Sequence, residues 1–293
     1  MRTRERPTIR FHEDPDLFRE AVGFTAAETG FTPQLVEKDY FCSLLLNYLA
    51  VTEGSLIFKG GTCLTKVHAG FYRLSEDIDF SISAPVGATR AERRALVAGV
   101  KGNVATLHAE LSYFDVIGPL RGANDSAQYL GVVAYSSLVS GQPESIRIEI
   151  GLREPLLLPT TNGPAKTVLL DPVSREPAVA PIEVRCISKS EAFAEKFRAA
   201  LSRREPAVRD FFDIDYAVRK IGLLPHDEGL VSLIRTKLDV PGNDPVNISK
   251  ARLVELQRQL APQLKPVLRE RDFREFDLER SFTVVTELAE RLG

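Results

Sequence analysis

Three features are scarce in this sequence of 293 residues: cysteine, long apolar runs and net charge. The three cysteines, Cys42, Cys63 and Cys186, are odd in number and share no metal-ligand spacing, so the sequence predicts neither a disulfide framework nor a zinc site. No stretch of about 18 apolar residues is present to span a membrane, and the basic N-terminus is not followed by an apolar segment. We therefore expect a cytoplasmic protein that has no membrane partner.

The net charge of −2 argues against broad, non-specific binding to nucleic acid, although it permits a local basic groove. With 44% hydrophobic and 27% charged residues, the composition is that of a soluble globular protein. The length is sufficient for one large or two ordinary domains. Function must therefore be sought in local motifs.

The residues that indicate a chemical function are concentrated in the stretch 56–82. Residues 56–59 read as a buried strand, and Gly60 and Gly61 then open a short helix. Glycine lets the backbone approach a ligand closely, and a helix start offers N–H groups and a positive dipole end. We expect Gly60, Gly61 and Thr62 to bind the phosphates of a nucleoside triphosphate (NTP).

A second strand follows and carries Asp77 and Asp79. Residues two apart on a strand point to the same face, so these carboxylates lie side by side while Ile78 and Phe80 face the core. Two adjacent carboxylates repel each other, and Mg²⁺ commonly binds through one or two carboxylates together with substrate phosphates. The sequence therefore predicts that Asp77 and Asp79 hold Mg²⁺.

A glycine-rich helix start followed by Asp-x-Asp resembles the nucleotidyltransferase superfamily of DNA polymerase β, with a slightly longer gap between the two motifs. The wider pattern resembles the AbiEii-type toxins, the nucleotidyltransferase halves of bacterial toxin–antitoxin pairs, which include the Men-type toxins of mycobacteria. The residues that carry this resemblance are Val36-Glu37-Lys38-Asp39-Tyr40, Lys59-Gly60-Gly61-Thr62-x-Leu64-x-Lys66 and Arg73-x-Ser75-Glu76-Asp77-Ile78-Asp79-Phe80.

The resemblance implies an enzyme that moves a nucleoside monophosphate from an NTP to an RNA acceptor, the tRNA 3′ end, and so arrests translation. It also implies a cognate antitoxin protein as partner. Lys59, Lys66 and Arg73 would join the nucleotide-binding residues, and Ser75 would be either a regulatory phosphorylation site or simply the cap of the turn into the strand. Lys38 and Asp39 belong either to the site or to a solvated helix face.

A third carboxylate is expected from a neighbouring strand. In residues 145–150 three isoleucines alternate with Arg147 and Glu149, so one face is buried and the other is charged. Sites of the polymerase-β type take a third acid from such a strand, to ligate metal or to activate the attacking hydroxyl. Glu149 is the candidate; its alternative is an exposed residue paired with Arg147.

A further motif lies in the C-terminal part of the chain. Glu195-Lys196-Phe197-x-Ala199, followed by Arg209-Asp210-Phe211-Phe212-Asp213, resembles the third AbiEii motif. In that family the lysine and the last aspartate are active-site residues, which implies the same for Lys196 and Asp213. The alternative is a salt bridge between two helices at the surface.

The remaining pattern predicts the elements around these motifs. Helices are expected at 13–30, 33–53 and 89–111. Strands are expected at 113–118, 128–138, 144–152 and 182–187. Prolines interrupt residues 153–180, so we expect a long connection there with at most one short strand, at 167–170. From the capping box at Ser188 the chain reads as helical, with its last helices at about 226–238, 248–265 and 272–292.

The predicted fold class is α/β (α+β): a polymerase-β-like nucleotidyltransferase domain with a mixed sheet flanked by helices, at 1–180, and a mainly helical C-terminal domain that completes the active-site cleft, at 181–293. Arg90, Arg93 and Arg94 are either a solvated helix face or a contact for an RNA backbone. Other acceptors stay open: a small molecule such as an antibiotic, or a protein. A non-enzymatic partner-binding module is a further alternative.

Overall fold

The computed structural model describes residues 10–85, 87–153 and 155–292. The chain divides into two compact units. The sheet unit contains the described residues up to 155 together with 161–186, and the helical unit contains 156–160 together with the described residues from 187 onward. The first nine residues of the predicted N-terminal domain lie outside the described residues.

The sheet unit begins with helices and then alternates short helices with strands. Its helices are α1 (Pro15–Thr29), α2 (Pro33–Thr52), α3 (Gly60–Cys63, extended by a π-helical turn, Leu64–His68), α4 (Arg90–Leu96), α5 (Ala98–Ala105) and α6 (Leu107–Glu110). Its strands are β1 (Ile57–Lys59), β2 (Ile78–Ser81), β3 (Asp115–Ala123), β4 (Gln128–Ser136), β5 (Pro143–Gly151), β6 (Thr161–Ala165) and β7 (Ile182–Cys186).

These strands form one seven-stranded sheet in the order β3-β4-β5-β2-β1-β7-β6. β2 pairs parallel with β5 and antiparallel with β1, and β1 pairs parallel with β7. The predicted mixed sheet is therefore confirmed. The strand that carries the Asp-x-Asp motif lies near the centre of the sheet, where neighbours on both sides fix its backbone.

Alternation of apolar and polar residues determines which face of β5 is buried. Ile146, Ile148 and Ile150 are fully buried, as their spacing predicts, while Arg147 and Glu149 project from the other face. α2 buries Tyr40, Leu44 and Leu45, and it also buries Glu37 and Asp39. A helix that is buried around most of its circumference is a core element rather than a surface element.

Three local expectations were wrong. The single helix expected at 272–292 is interrupted after Glu275 and resumes at Leu278. The proline-rich connection holds a strand at Thr161–Ala165 rather than at 167–170, and this strand includes Pro164. β6 is the last strand of the sheet and pairs only with β7, and an edge strand tolerates a proline because one side of its backbone needs no partner. The helix expected at 89–111 is divided into α4, α5 and α6, with interruptions at Val97 and Thr106.

The helical unit contains six helices within the described residues. They are α7 (Lys189–Ser202), α8 (Val208–Tyr216, extended by a π-helical turn, Ala217–Ile221), α9 (Glu228–Leu238), α10 (Lys250–Gln259, followed by turns to Val267), α11 (Glu270–Glu275) and α12 (Leu278–Leu292). Ser188 caps α7 as predicted, by accepting a hydrogen bond from the Glu191 amide. Among the described helices of the whole chain, none has both the length and the apolar character that crossing a membrane requires.

Candidate active site

Asp79 lies on β2 and Asp77 directly precedes that strand. Ile78 and Phe80 are buried, so the alternation predicted for the Asp-x-Asp motif is confirmed. In the sheet register, Asp79 lies opposite Lys59 of β1 on one side and opposite Glu149 of β5 on the other. The structure therefore brings the ends of the glycine motif, the Asp-x-Asp motif and the predicted third acid to adjacent strands.

The glycine pair packs directly against the charged side chains. Gly60 has a positive φ of 74°, and a Cβ atom placed there would overlap Asp79 Oδ2 and lie 2.8 Å from Asp79 Cβ. A Cβ at Gly61 would overlap the guanidinium of Arg73, which is itself buried. Both positions require glycine because the backbone approaches Asp79 and Arg73 more closely than a side chain would allow.

Thr62 connects the two halves of the motif. Its hydroxyl donates a hydrogen bond to the backbone carbonyl of Asp77, and the residue is buried. This bond holds the start of α3 against the entry of β2. Thr62 thus contributes through its side chain to positioning Asp77, and its backbone stays part of the helix start that was predicted to bind phosphates.

The carboxylates of Asp77 and Glu149 each have a hydrogen-bond partner on a neighbouring strand. Arg147 Nη2 lies 2.8 Å from Asp77 Oδ2, and this bond raises the pKa of the arginine. Glu149 Oε1 accepts a hydrogen bond of 2.7 Å from Gln128 Nε2 on β4. The alternative of a simple Arg147–Glu149 pair is corrected accordingly, because the arginine bonds to Asp77 across the β2–β5 pairing.

The structure assembles the predicted carboxylates only in part. Within the described residues, the ligand oxygens of Asp77, Asp79 and Glu149 do not all lie within 4.8 Å of one another. Arg147 and Gln128 hold the outer two acids by their own hydrogen bonds. Asp77 and Asp79, which share one face two residues apart, therefore fit a cation better than the full set of three.

Lys66 lies in the core of the sheet unit. Its Nζ forms an ion pair of 2.6 Å with Asp39 Oδ1 and donates to Ser43 Oγ at 2.8 Å, and both charged side chains are almost completely buried. The carbonyl oxygens of Asp39 and Lys166 accept further bonds from the same ammonium. The other Asp39 oxygen accepts from the amide of Val168 at 2.9 Å. Lys66 and Asp39 thus tie α2 to the segment after β6, which is a structural position.

The remaining residues predicted near the glycine and Asp-x-Asp motifs, Lys59, Ser75 and Lys38, are half-buried. Lys59 is half-buried at the end of β1, and Ser75 is half-buried in the segment that leads to β2. Lys38 Nζ lies 3.4 Å from Glu76 Oε1 and 3.7 Å from Glu144 Oε2. Roles in nucleotide binding for Lys59, and in regulation for Ser75, stay predictions.

The predicted pair of the helical unit is in direct contact. Lys196 Nζ on α7 lies 2.9 Å from Asp213 Oδ2 and 2.7 Å from Asp210 Oδ1, both on α8. The alternative of a surface salt bridge is wrong, because the exposed fraction of these side chains is 13% for Lys196 and 0% for Asp213. A buried ammonium shared by two carboxylates is strongly positioned.

Three residues of this chemistry were not predicted from the sequence: Arg147 as the partner of Asp77, Gln128 as the partner of Glu149, and Asp210 as the second acid on Lys196. Asp210 had a readable signal, since it lies three residues before Asp213 and so on the same helix face. The Arg147–Asp77 and Gln128–Glu149 contacts had no such signal in the sequence, because they depend on which distant strands become neighbours in the sheet.

A mixed sheet with a glycine helix start packed onto an Asp-x-Asp strand defines a nucleotidyltransferase. The family model described as nucleotidyl transferase AbiEii toxin, Type IV toxin–antitoxin system, matches residues 44–283, and the chain belongs to this family. It is therefore a nucleotidyltransferase of the toxin type, and its family implies an antitoxin partner.

A solved structure of low sequence identity shares the fold, and two others resemble it more weakly. MenT4, a nucleotidyltransferase toxin from Mycobacterium tuberculosis, is 19% identical, with 94% of this chain and 97% of that chain covered at a TM-score of 0.53. A Helicobacter pylori protein is 15% identical, covering 93% of this chain and 94% of its own at a TM-score of 0.46, and JHP933 of the same organism is 15% identical, covering 93% and 91% at 0.45. No curated protein matches the chain in sequence.

Proposed function

We propose that this toxin transfers a nucleoside monophosphate from an NTP to an RNA acceptor, the tRNA 3′ end, with release of pyrophosphate. The observation that supports this most is the packing of Gly60 against Asp79, with Asp77 two residues away on the same face. A glycine backbone for phosphates beside a carboxylate pair is what binding a triphosphate requires. Blocked tRNA would stop translation, which suits a toxin.

The cation in this proposal is Mg²⁺, held by Asp77 and Asp79. The site residues fit it, because Asp77 and Asp79 lie two residues apart on the face opposite the buried Ile78 and Phe80, and carboxylate oxygens are ligands that Mg²⁺ prefers. When bound, Mg²⁺ neutralises charge on the phosphates and so favours attack at phosphorus. Arg147, bonded to Asp77, fixes that carboxylate in orientation.

The remaining chemistry falls to residues of the chain. The acceptor hydroxyl oxygen forms a bond to the α-phosphorus, and the bond from that phosphorus to the bridging oxygen breaks as pyrophosphate leaves. Glu149, opposite Asp79 in the register, takes the hydroxyl proton in this proposal. The backbone at Gly60 and Gly61 orients the triphosphate, and Arg73, packed against Gly61, adds positive charge behind it.

Lys196 and Asp213 are proposed active-site residues because they stand at the matching positions of the third AbiEii motif, within the range that the family model matches. In this role Lys196 would supply a positive charge. Asp213 and Asp210 hold its ammonium in place at 2.9 and 2.7 Å. Because the lysine has two fixed anchors, its Nζ would need little reorganisation during the reaction.

The test supplies each of the four labelled NTPs with purified tRNA and Mg²⁺, and resolves the tRNA length. We expect tRNA extended by one or a few nucleotides with one preferred NTP, and at least about a hundredfold slower transfer by Asp79→Ala. The matched control is Asp16→Ala, which removes an exposed aspartate on α1.

Circular dichroism verifies that both variants are folded. Near wild-type transfer by a folded Asp79→Ala protein would overturn the metal-site assignment. Label that appears only on protein, or only on a small molecule, would overturn the RNA acceptor and leave the nucleotidyltransferase chemistry in place.

A further inference from the structure

The fold brings two cysteines and a histidine together directly behind the glycine motif. Cys63 ends α3, His68 ends the π-helical turn that follows, and Cys186 ends β7. One ligand atom from each residue lies within 4.8 Å of the ligand atoms of the other two. We call these three residues the thiol–imidazole cluster.

The cluster has the composition and spacing of a transition-metal site. Two sulfurs and one imidazole nitrogen suit Zn²⁺, with Zn–S distances of about 2.3 Å and Zn–N distances of about 2.0 Å in known sites. Ligand atoms around one such ion are necessarily less than about 4.8 Å apart, as these are. Two thiolates and a neutral imidazole would also cancel the charge of the ion, which lowers the cost of placing it in a buried position.

The position of Cys186 is fixed by the strand pairing as well as by the cluster. Thr161 Oγ1 lies 3.5 Å from Cys186 Sγ, in register with it across the β6–β7 pair. The third cysteine, Cys42, is buried on α2 and lies outside the cluster.

The burial of the three residues would let an ion reach the cluster from one side. Cys63 and Cys186 are buried, whereas His68 is half-buried. A Cβ at Gly163 of β6 would lie 3.9 Å from Cys186 Sγ and 2.7 Å from Val67 Cγ1, so the edge strand covers the cluster closely. His68 would therefore be the ligand beside the open coordination position, where water completes a tetrahedron.

We propose that Cys63, His68 and Cys186 bind one Zn²⁺ ion, which ties the end of α3 and its π-helical turn to strand β7. Cys63 directly follows Thr62, whose hydroxyl holds the Asp77 backbone, so the ion would stabilise the glycine turn from behind. The site is separate from the carboxylates and does not depend on the transfer reaction.

The test measures metal binding by the purified full-length protein, reduced and freed of metal. Zn²⁺ is titrated against a chromophoric chelator, and Co²⁺ is added separately to reveal sulfur-to-metal charge-transfer absorption. Wild type should bind a single equivalent and show a two-thiolate Co²⁺ spectrum. Cys186→Ser, Cys63→Ser and His68→Asn should each weaken Zn²⁺ binding by at least about a hundredfold, since each removes a ligand.

The matched control is Cys42→Ser, which removes a buried cysteine outside the cluster and should bind metal like wild type. His68→Asn keeps the test decisive if a cysteine variant fails to fold, because this position is only half-buried. Zn²⁺ should also raise the Tm of wild type and of Cys42→Ser, but not of the cluster variants.

The proposal is overturned if wild type binds no Zn²⁺, or if His68→Asn and Cys186→Ser bind it as tightly as wild type does. Mild oxidation that produces a Cys63–Cys186 disulfide in a protein that does not bind Zn²⁺ would also overturn it, and would identify the pair as redox-active instead.

Discussion

At the residue scale, the absence of a side chain at Gly60 creates the space that Asp79 occupies. Gly60→Ala would require an alanine at φ 74° and would place its Cβ onto Asp79 Oδ2. Transfer should fall by at least about tenfold because the carboxylate must move, and stability should fall by about 1 kcal/mol because of the left-handed backbone. Kinetics with the preferred NTP and urea unfolding measure the two effects.

Gly141→Ala is the matched control, because Gly141 has a φ of 70° but a Cβ added there would have nothing within 4 Å. It should lose stability to a similar extent and keep its activity. Equal loss of transfer in both variants would mean that the backbone strain, rather than the contact with Asp79, is responsible.

His12 provides a prediction about pH. Its ring is 4% exposed, packs 4.0 Å from the ring of Tyr113 and lies 2.7 Å from the Tyr40 hydroxyl through Nδ1. Burial lowers its pKa from 6.5 to about 4, with the charge of Glu13 opposing. Between these two values the unfolded chain binds the proton and the folded chain does not, so stability falls as pH decreases through this window.

We expect the free energy of unfolding of wild type to decrease by about 2 kcal/mol more than that of His12→Gln between pH 7 and pH 4.5. Urea unfolding at the two pH values measures the difference. His226→Gln is the control, because His226 is 41% exposed and should follow wild type. If the free energies of unfolding of wild type and His12→Gln change with pH in the same way, His12 is not the group responsible.

At the element scale, two buried lysines on neighbouring helices allow activity to be separated from stability. Lys196 of α7 lies between Asp210 and Asp213, and Lys237 of α9 lies 2.7 Å from Glu191 and 3.2 Å from Glu195. Replacing either lysine removes a buried ammonium that two carboxylates share, and breaking a buried ion pair of this kind costs about 3–5 kcal/mol. Both replacements are therefore expected to lower stability by a comparable amount.

Lys196→Met should lower transfer per folded molecule by at least about a hundredfold, whereas Lys237→Met should lower only the Tm. Transfer is measured well below the Tm of each variant, with the folded fraction taken from circular dichroism. If both variants lose stability while both keep their transfer rate, the Lys196–Asp213 pair is structural and the proposed active-site role is wrong.

Strand pairing is the other decisive feature at this scale. β5 follows β2 by more than sixty residues, yet it lies parallel beside it and brings Arg147 to Asp77 and Glu149 opposite Asp79. The order of elements along the chain does not reveal this neighbourhood. The local strands were predictable because their alternation is a short-range pattern, and the neighbours were not because pairing is a property of the whole sheet.

At the scale of the whole molecule, the net charge of −2 means that binding of the proposed RNA acceptor would depend on local basic groups. Arg90 and Arg93 of α4 contact Asp125, through its carboxylate at 3.9 Å and its backbone carbonyl at 3.3 Å, and Arg94 lines a shallow depression of about 400 Å³ with Lys101 and others. Arg94 is therefore the arginine of this group best placed for a phosphate.

We expect transfer to tRNA to fall steeply as salt rises, and NTP binding to fall less. Arg94→Ala should reduce the slope of log affinity for tRNA against log salt by about 1, as loss of one phosphate contact requires. Arg175→Ala, which removes an exposed arginine paired with Glu28, is the control. An unchanged slope in Arg94→Ala would assign this arginine to the solvated face instead.

The sequence alone determined the glycine turn, the Asp-x-Asp strand, most of the helices and the Lys196–Asp213 pairing, because each depends on spacing within a few residues or on a motif that the family shares. It predicted neither the burial of Lys66 against Asp39 nor the edge strand with Pro164. Burial is decided by which elements cover a residue, and local periodicity reports this only for apolar stripes.

The tertiary structure alone decided which distant groups meet. Cys63 and Cys186 share no metal-ligand spacing in the sequence, yet the parallel pairing of β1 with β7 brings them together with His68. The same sheet places Arg147 on Asp77. Such contacts join residues separated by long stretches of chain, and their formation depends on the packing of the complete sheet, so the physical information that specifies them is spread over the whole molecule rather than carried by any one segment.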